Sequence, residues 1–324
     1  MRRIFGSRAS SILYNWLISN DVSGEVLMAA NICETVPGTY YKAGIKLNFC
    51  DIDFKTFQPD SQQIEDYLTR NRKINILHYN HTYGCIMPNE KEFLKSLKEK
   101  FPNLIIIEDR CLSIPDLEIP EVESHLVLYS TGNTKFINIG FGGFAFTSDE
   151  WKYEHEQVCF LEKDLLAFEN HVRCCHNNAL SIDYSIIGSN WISPDLVMDD
   201  GEYFKKIKIE YEKSLVHKMK INEIYNNFLT FCSMGNEYQN WRYNILVKNK
   251  EYCVRKLFEN GLFASSHYKS LGSGYFTQQK YSVCDWLESH VINLFNDFCY
   301  DADKAYNTAM LLCDIADSEI VAFK

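Results

Sequence analysis

A single lysine lies in the segment Tyr129–Phe146, between small hydroxylated residues and a group of glycines. The amine of Lys135 is the type of group that forms a Schiff base with a carbonyl compound. Upstream, the apolar run Ile105–Ile107 ends in Glu108 and Asp109. An acid there could hold a protonated pyridine nitrogen, so Lys135 and Asp109 together suggest a pyridoxal phosphate (PLP) site. The alternative is a surface lysine and an ordinary acid at a strand end.

Short apolar strands alternate with helices through the first half of the chain, which indicates a mostly parallel, doubly wound α/β sheet. Ligands bind such sheets at the carboxyl ends of the strands, where Asp109 and the segment after Tyr129 both fall. The pattern predicts strands at Glu25–Ala30, Ile45–Cys50, Ile74–Tyr79, Leu104–Ile107, Leu126–Tyr129 and Gly143–Thr147, and helices at Ser7–Ser19, Cys33–Ala43, Gln62–Thr69 and Glu90–Lys100.

The second half of the chain indicates a smaller α/β domain. We expect a large cofactor-binding domain at 1–150, a helical bridge and ordered loop at 151–201, and the small C-terminal domain at 202–324. The predicted elements are a helix in Glu150–Asn178, an ordered loop at Asp183–Gly201, a helix at Glu202–Phe231, a strand at Trp241–Val247, a helix at Lys250–Asn260, a strand at Leu262–His267, and further elements at Trp286–Leu294 and Ala302–Ala316.

Composition excludes several classes of function. The 324-residue chain is 46% hydrophobic and 23% charged, as expected of an ordinary globular protein. Its net charge of −10 argues against a nucleic-acid binder. No apolar run of membrane-spanning length and no signal-peptide pattern is found, so we expect a cytoplasmic protein. The twelve cysteines have no C-x-x-C spacing, which favours reduced core thiols over a metal site.

The turn Gly6-Ser7-Arg8-Ala9 precedes the first predicted helix. Backbone N–H groups at a helix start, together with the helix dipole, favour an anion such as a phosphate. The alternative is a plain N-cap, which is the commoner use of such residues.

Several short motifs follow one another along the chain. They are Gly6-Ser7-Arg8-Ala9, Ala30-Asn31, Ala43-Gly44 with Asp51-Ile52-Asp53, His81-Thr82-Tyr83-Gly84, Ile107-Glu108-Asp109, Ser130 to Lys135, Gly142-Gly143, Gly188-Ser189-Asn190-Trp191, and Gly261 to His267-Tyr268. In order and spacing these motifs resemble those of the DegT/DnrJ/EryC1/StrS family of PLP-dependent sugar aminotransferases, which have the fold type I architecture. The resemblance runs from Gly6 to the C-terminus, and its strength lies in the order and spacing of the motifs.

The resemblance implies a role for each matching position. Lys135 would carry the Schiff base and move the proton, and Asp109 would keep the pyridine nitrogen protonated. Asn190 would reach the cofactor phosphate of a neighbouring subunit, which implies a homodimer with shared active sites. The implied reaction moves an amino group from glutamate to a keto group of a nucleotide-linked sugar, in polysaccharide or amino-sugar biosynthesis. The phosphate itself would be held by Ser7, Arg8 and Ser130.

Four features depart from the family pattern. The family has a segment ahead of the first turn, which here starts at residue 6. Cys33 stands where the family places an aromatic ring over the cofactor, and a thiol cannot stack on that ring. Leu112 and Ile192 replace a hydrogen-bonding residue and an arginine. These departures keep a second hypothesis open, a catalytically impaired relative that acts as a binding or assembly subunit. A sugar dehydratase is disfavoured because such relatives replace the lysine with histidine.

Three histidines are assigned modest roles. We expect His78 and His81 to be strand-end residues that bond to backbone, with the family match giving His81 some further weight. His267 is expected to pack in the small lobe or to lie at the rim of the site.

Overall fold

A computed structural model describes residues 1–155, 160–178, 180–186, 190–192, 198–271 and 280–319. Its centre is a seven-stranded sheet with the order β1-β7-β6-β5-β4-β2-β3. The strands are β1 (Arg2–Gly6), β2 (Glu25–Ala29), β3 (Lys46–Cys50), β4 (Ile74–Asn80), β5 (Ile105–Asp109), β6 (Leu126–Ser130) and β7 (Gly143–Thr147).

Neighbouring strands from β3 through β2, β4 and β5 to β6 are parallel, whereas β7 is antiparallel to both β6 and β1. The predicted α/β class with a mostly parallel sheet is therefore confirmed. Strand β2 is buried along its whole length, as expected for a strand that is covered by helices on both faces. Strand β1 was not predicted; it pairs with β7 from Arg2 to Gly6.

The helices agree with most of the predicted segments. Asp60 caps α3 by accepting from the Gln63 amide, and Asp199 caps α6 by accepting from the amides of Gly201 and Glu202. The helices are α1 (Ala9–Ser19), α2 (Thr35–Lys42), α3 (Ser61–Arg70), α4 (Glu90–Lys100), α5 (Glu162–Asn178), α6 (Asp200–Leu229), α7 (Lys250–Glu259), α8 (Ser282–His290) and α9 (Ala302–Glu319).

A second, antiparallel sheet of three strands follows α6, with the order β8-β10-β9. These strands are β8 (Tyr243–Leu246), β9 (Ala264–Ser265) and β10 (Val291–Leu294). A separate apolar cluster holds them to α6, α7 and α9. Helix α8 instead packs on the core of the large sheet. The domain boundaries at 1–150, 151–201 and 202–324 stay predictions.

Asp51 joins α8 to the large sheet. Its carboxylate accepts hydrogen bonds from the backbone amides of Val283 and Cys284, both at 2.9 Å. These are the first amides of α8, which have no partner within the helix. The Tyr281 hydroxyl also donates to the Phe49 carbonyl at 3.1 Å. The acidic residue that follows β3 thus has a structural use.

Three predicted elements were wrong in extent. The helix predicted from Glu150 begins only at Glu162, because the chain before it bonds back to the end of α1. There the amide of Glu154 donates to Ser19 Oγ, and Trp151 stacks on Trp16 at 4.5 Å. The strand predicted at Leu262–His267 is reduced to Ala264–Ser265, since the amide of His267 leaves the ladder to donate to Asn293 Oδ1. The strand predicted at Leu104–Ile107 extends further, since β5 continues to Asp109.

Candidate active site

A cavity of about 270 Å³ lies at the carboxyl edge of the large sheet. The parallel strands β2, β4, β5 and β6 all end there, and the register pairs Asn80 with Asp109. Residues after these strands, the start of α1 and the loop 131–142 line the cavity. Both Lys135 and Asp109 are among them, so the two groups singled out from the sequence face one space.

Asp109 is held as an anion. Its Oδ1 accepts from the Cys111 amide at 2.9 Å, and its Oδ2 lies 3.3 Å from Nε2 of His78. Burial by itself raises the pKa of Asp109, but the hydrogen bonds from His78 and from Cys111 outweigh it and hold that pKa well below its ordinary value. A carboxylate of this kind can pair with a cationic nitrogen at neutral pH.

Lys135 lies in a braced loop. The backbone carbonyl of the preceding residue, Thr134, accepts from Nε1 of Trp241, which belongs to the second half of the chain. The Lys135 amide donates to the Gly132 carbonyl at 3.3 Å. Its Nζ has no hydrogen bond or ion pair to any residue in the described ranges, so the amine is available to a ligand.

Two glycines at the end of this loop, Gly142 and Gly143, permit close backbone packing. A Cβ at Gly143 would lie 2.8 Å from the Ala9 nitrogen and 2.8 Å from the Tyr129 carbonyl oxygen. Gly142 has φ +87°, a conformation that favours glycine, and its amide donates to the Ser7 carbonyl at 2.7 Å. This packing brings β7 against the start of α1.

The amino end of α1 opens on the cavity through Arg8, Ala9 and Ser10. Its first turn has no acidic residue and Arg8 makes no side-chain cap bond, so the free amides and the helix dipole favour an anion there. Ser7 does not line the cavity; it is buried, and its hydroxyl donates to Ser11 Oγ at 3.1 Å. The anion site predicted at this helix start would therefore be lined by the residues that follow Ser7.

Ser130 and Asn190 have different positions. Ser130 lines the cavity, and its Oγ accepts from the Gly132 amide at 3.4 Å. Asn190 does not line the cavity. Its backbone amide donates to Asp164 Oδ2 at 3.1 Å, near the start of α5. Gly188 and Ser189, the rest of that motif, lie outside the described residues.

The departures from the family pattern fall in different places. Cys33 and Leu112 both line the cavity, whereas Ile192 is fully buried in the core. Burial and the neighbouring Glu34 raise the pKa of the Cys33 thiol to about 11, so it stays neutral. Tyr268 lines the cavity and supplies an aromatic ring. The sequence analysis named Tyr268 only as the end of the motif Gly261 to His267-Tyr268 and gave it no role.

The expectation that His78 and His81 bond to backbone was wrong for their side chains. His78 contacts Asp109, and His81 lies between two acids, with Nε2 3.1 Å from Glu108 and Nδ1 3.1 Å from Glu90. Burial lowers the pKa of His81, but both acids outweigh it and raise that pKa to about 9. No periodicity in the sequence marks these partners, because each comes from a different element.

Glu108 completes this buried network. Its Oε2 accepts from Arg110 Nη2 at 2.7 Å as well as contacting His81. Burial raises the pKa of Glu108, but His81 and Arg110 outweigh that effect and lower it to about 2. The network therefore places an ionised carboxylate beneath the site.

A second cavity of about 460 Å³ adjoins the first. Arg8, Ser10 and Thr35 line both. The second cavity is also lined by Arg173 and Lys269, together with the acids Glu34 and Glu169.

Basic side chains outnumber the acids in this second cavity. Burial also raises the pKa of Glu34. Arg8 and Arg173 form no ion pair within the described part of the chain, and Lys269 Nζ donates only to the His176 carbonyl, at 3.0 Å. Arg8 and Arg173 are exposed and Lys269 is half-buried. Cations without an acidic partner suit an anionic ligand.

No family model matches the chain, and no curated protein sequence matches it. Solved structures do: a DegT DnrJ EryC1 StrS aminotransferase from Brucella abortus has 16% identity and a TM-score of 0.69, covering 97% of this chain and 86% of that one. An aminotransferase of pseudoaminic acid biosynthesis from Helicobacter pylori has 15% identity and a TM-score of 0.70, covering 98% and 87%. NtdA from Bacillus subtilis, solved with bound PMP, has 15% identity and a TM-score of 0.67, covering 97% and 74%. These likenesses show that the fold is that of the fold type I aminotransferases.

None of the helices in the described ranges is long and apolar enough to cross a membrane. Within the same ranges, no group of three or more histidine, cysteine or acidic side chains is arranged to hold a metal ion.

Proposed function

We propose that this protein is a PLP-dependent aminotransferase that moves an amino group from glutamate to a keto group of a nucleotide-linked sugar. The observation that carries the proposal is that Lys135 and Asp109 line one cavity beside the open amino end of α1. The aminotransferase likenesses, each spanning nearly the whole chain, support the same class.

The cavity contains donors suited to each part of the cofactor. Bound PLP would supply an aldehyde for an amine and a ring that accepts electrons. Lys135 provides the amine and, once released, a base that moves a proton at the substrate carbon. Asp109 would hold a proton on the ring nitrogen, and the amides of Ala9 and Ser10 with Ser130 Oγ would bind the phosphate. Arg8 would add a positive charge at the same end.

Absorbance tests this proposal directly. Purified protein mixed with PLP should gain a visible band, and Lys135→Ala should lose it because the amine is gone. Lys152→Ala, an exposed lysine outside the cavity, is the matched control and should keep the band. A wild-type protein that binds no PLP would refute the assignment.

The second cavity supports a substrate with a phosphate-bearing group. Its cations are Arg8, Arg173 and Lys269, in a chain whose net charge is −10. Uridine diphosphate is a suitable probe, and we expect Arg173→Gln and Lys269→Gln each to weaken its binding about tenfold, the loss of one charge-assisted bond. Lys220→Gln, on the exposed face of α6, should bind it as the wild type does. Unchanged binding in both cavity variants would argue against a nucleotide-linked substrate.

One observation favours a second candidate, a relative that binds the cofactor or a partner without turnover. Cys33 and Leu112 line the cavity where the family has cofactor-binding side chains, and neither can stack on or bond to the ring. Glutamate added to the PLP-loaded protein separates the two candidates. Conversion of the bound cofactor to its amine form supports the aminotransferase, and a stable unconverted band supports the non-catalytic subunit.

A homodimer with shared sites is part of the proposal. Asn190 does not face the cavity of its own chain, which fits a role toward the site of a neighbouring subunit. Sedimentation of the purified protein should give the mass of a dimer; a monomer that still processes glutamate would contradict this part alone.

A further inference from the structure

A buried chain of polar side chains lies behind Asp109. Nε2 of His78, on β4, lies 3.3 Å from Asp109 Oδ2, and Nδ1 of His78 lies 3.0 Å from the Tyr40 hydroxyl on α2. Neither His78 nor Tyr40 is exposed to solvent. The three side chains thus connect a helix to the carboxylate that faces the cavity.

The directions of these hydrogen bonds follow from the acid. The Asp109 carboxylate accepts, so Nε2 of His78 carries the proton that it donates. In the neutral imidazole, Nδ1 is then the acceptor and the Tyr40 hydroxyl the donor. Burial, and then the charge of Asp109, raise the pKa of Tyr40 well above its ordinary value, which keeps that hydroxyl protonated.

Burying an imidazole has no packing advantage here. Strand β4 is covered on both faces, and the neighbouring positions Ile76 and Leu77 are apolar, as such a strand requires. An unpaired imidazole at this depth would cost about 1–3 kcal/mol. His78 avoids that cost by bonding to Tyr40 and to Asp109, whose carboxylate lines the cavity.

Asp109 is surrounded by groups from several elements. Its side chain is 14% exposed, so one side faces the cavity while the other is held by the protein. Its Oδ1 is fixed by the Cys111 amide at 2.9 Å, which leaves Oδ2 to His78 and to a ligand. The titratable groups that interact with Asp109 are His78 from β4, Tyr40 from α2, Cys111 after β5, and Tyr268 from the second half of the chain. Cys33 and Lys135 line the same cavity.

We infer that His78 is a positioning residue for the cofactor, which keeps Asp109 ionised and oriented for the ring nitrogen, and that Tyr40 fixes the tautomer with which it does so. This inference rests on the proposed function, since it assigns a role toward PLP. It adds two residues that sequence motifs did not single out for the site. His78 does not itself line the cavity and contacts the site through Asp109, which does.

The consequence is a change in the acid–base behaviour of the loaded site. Without the His78 donor, Asp109 is a less stable anion and holds the ring proton more weakly. The adduct is the product in which Lys135 is joined to PLP. Less positive charge on the ring would make the protonated form of this adduct more stable, so the pH midpoint of its titration would rise. A purely structural histidine would change stability without moving that midpoint.

The test uses the full chain with PLP, and His78→Leu, His78→Gln and Tyr40→Phe as variants. We expect His78→Leu to raise the midpoint of the adduct, followed by absorbance against pH, by about one pH unit. It should also weaken PLP binding about tenfold or more, since a charge-assisted bond is lost. His78→Gln keeps an amide donor near the Nε2 position and should fall between the wild type and His78→Leu, and Tyr40→Phe should shift the midpoint slightly in the same direction.

His125→Gln is the matched control, since His125 is half-buried at the opposite end of the same sheet and accepts from the Ile106 amide. It should leave the midpoint unchanged. Nitrogen-15 spectra of the cofactor-free protein give an independent readout: His78 should show a protonated Nε2 and an unprotonated Nδ1.

The outcomes separate this inference from the proposed function. A wild-type protein that forms no adduct with PLP would refute both the proposed function and the role of His78. A wild-type adduct whose midpoint and PLP affinity are unchanged in folded His78→Gln and Tyr40→Phe overturns the role of His78 alone, and so does the opposite tautomer in the nitrogen spectrum. If His78→Leu does not fold, the two milder variants decide.

Discussion

Replacing His81 with glutamine should change how the stability of this protein depends on pH. His81 is fully buried between Glu108 and Glu90, each 3.1 Å away. Glutamine has a similar polar reach but cannot carry a charge. The variant therefore removes a cation from between two acids while leaving the Arg110 ion pair to Glu108, at 2.7 Å, in place.

The magnitude follows from the pKa of His81. Burial opposes protonation, but Glu108 and Glu90 outweigh it and raise the pKa from 6.5 to about 9. A rise of that size corresponds to about 3 kcal/mol of stability, as an order of magnitude. Because the folded pKa lies above the unfolded value, this stabilisation is fully present below pH 6.5 and is lost as the pH rises through 9.

Another buried group acts in the opposite direction. Burial lowers the pKa of Lys218 to about 7, although Asp297 partly offsets the effect. The unfolded chain therefore binds more protons at Lys218 than the folded one between pH 7 and 10, so this contribution makes the protein more stable as the pH rises. Lys218 is present in both proteins, so it cancels when wild type and variant are compared.

Urea unfolding at pH 6, 7.5 and 9 is the measurement. Between pH 6 and 9, the free energy of unfolding of the wild type should fall by about 3 kcal/mol more than that of His81→Gln. Asp66→Asn, an exposed acid on α3, serves as the control and should run parallel to the wild type. Parallel curves for wild type and His81→Gln would refute the assignment of a buried histidine cation.

Two further substitutions test how the site is built. Gly143→Ala should destabilise the protein by about 1–3 kcal/mol and weaken PLP binding, because its Cβ would lie 2.8 Å from backbone atoms of Ala9 and Tyr129. Gly132→Ala is the control for stability, since only Ser130 Oγ lies near, at 3.5 Å; equal urea midpoints for the two variants would contradict the packing argument. Asp51→Ala should cost about 1–3 kcal/mol by removing the carboxylate that accepts from the first amides of α8, and wild-type stability in urea would show that those bonds contribute nothing.

The parallel sheet was predictable because its strands are short, apolar and separated by helices of ordinary length. The antiparallel edge was not, since the segment Arg2–Gly6 is too short and too mixed to be assigned before its partner β7 is known. The prediction that a helix starts at Glu150 was wrong for a related reason. The hydrogen-bond partners of that segment lie at the end of α1, far away in the chain.

Part of the candidate site could also be predicted. Lys135 and Asp109 were placed near one another because parallel strands end at a common edge, which is a local rule. Ser7 was assigned to the phosphate site by its motif, but its hydroxyl donates to Ser11, and the residues that line the cavity there are those after it. A motif gives a position in the chain, whereas the direction of a short side chain depends on the packing around it.

By itself, the sequence determined the fold class, the order of the elements and the two groups suited to cofactor chemistry, because hydrophobic periodicity and strand ends are local properties. Only the tertiary structure decided the partners of those groups: His78 and Tyr40 behind Asp109, Trp241 on the Lys135 loop, and the acids around His81. These contacts join elements far apart in sequence, and their charges depend on burial that exists only when the chain has folded.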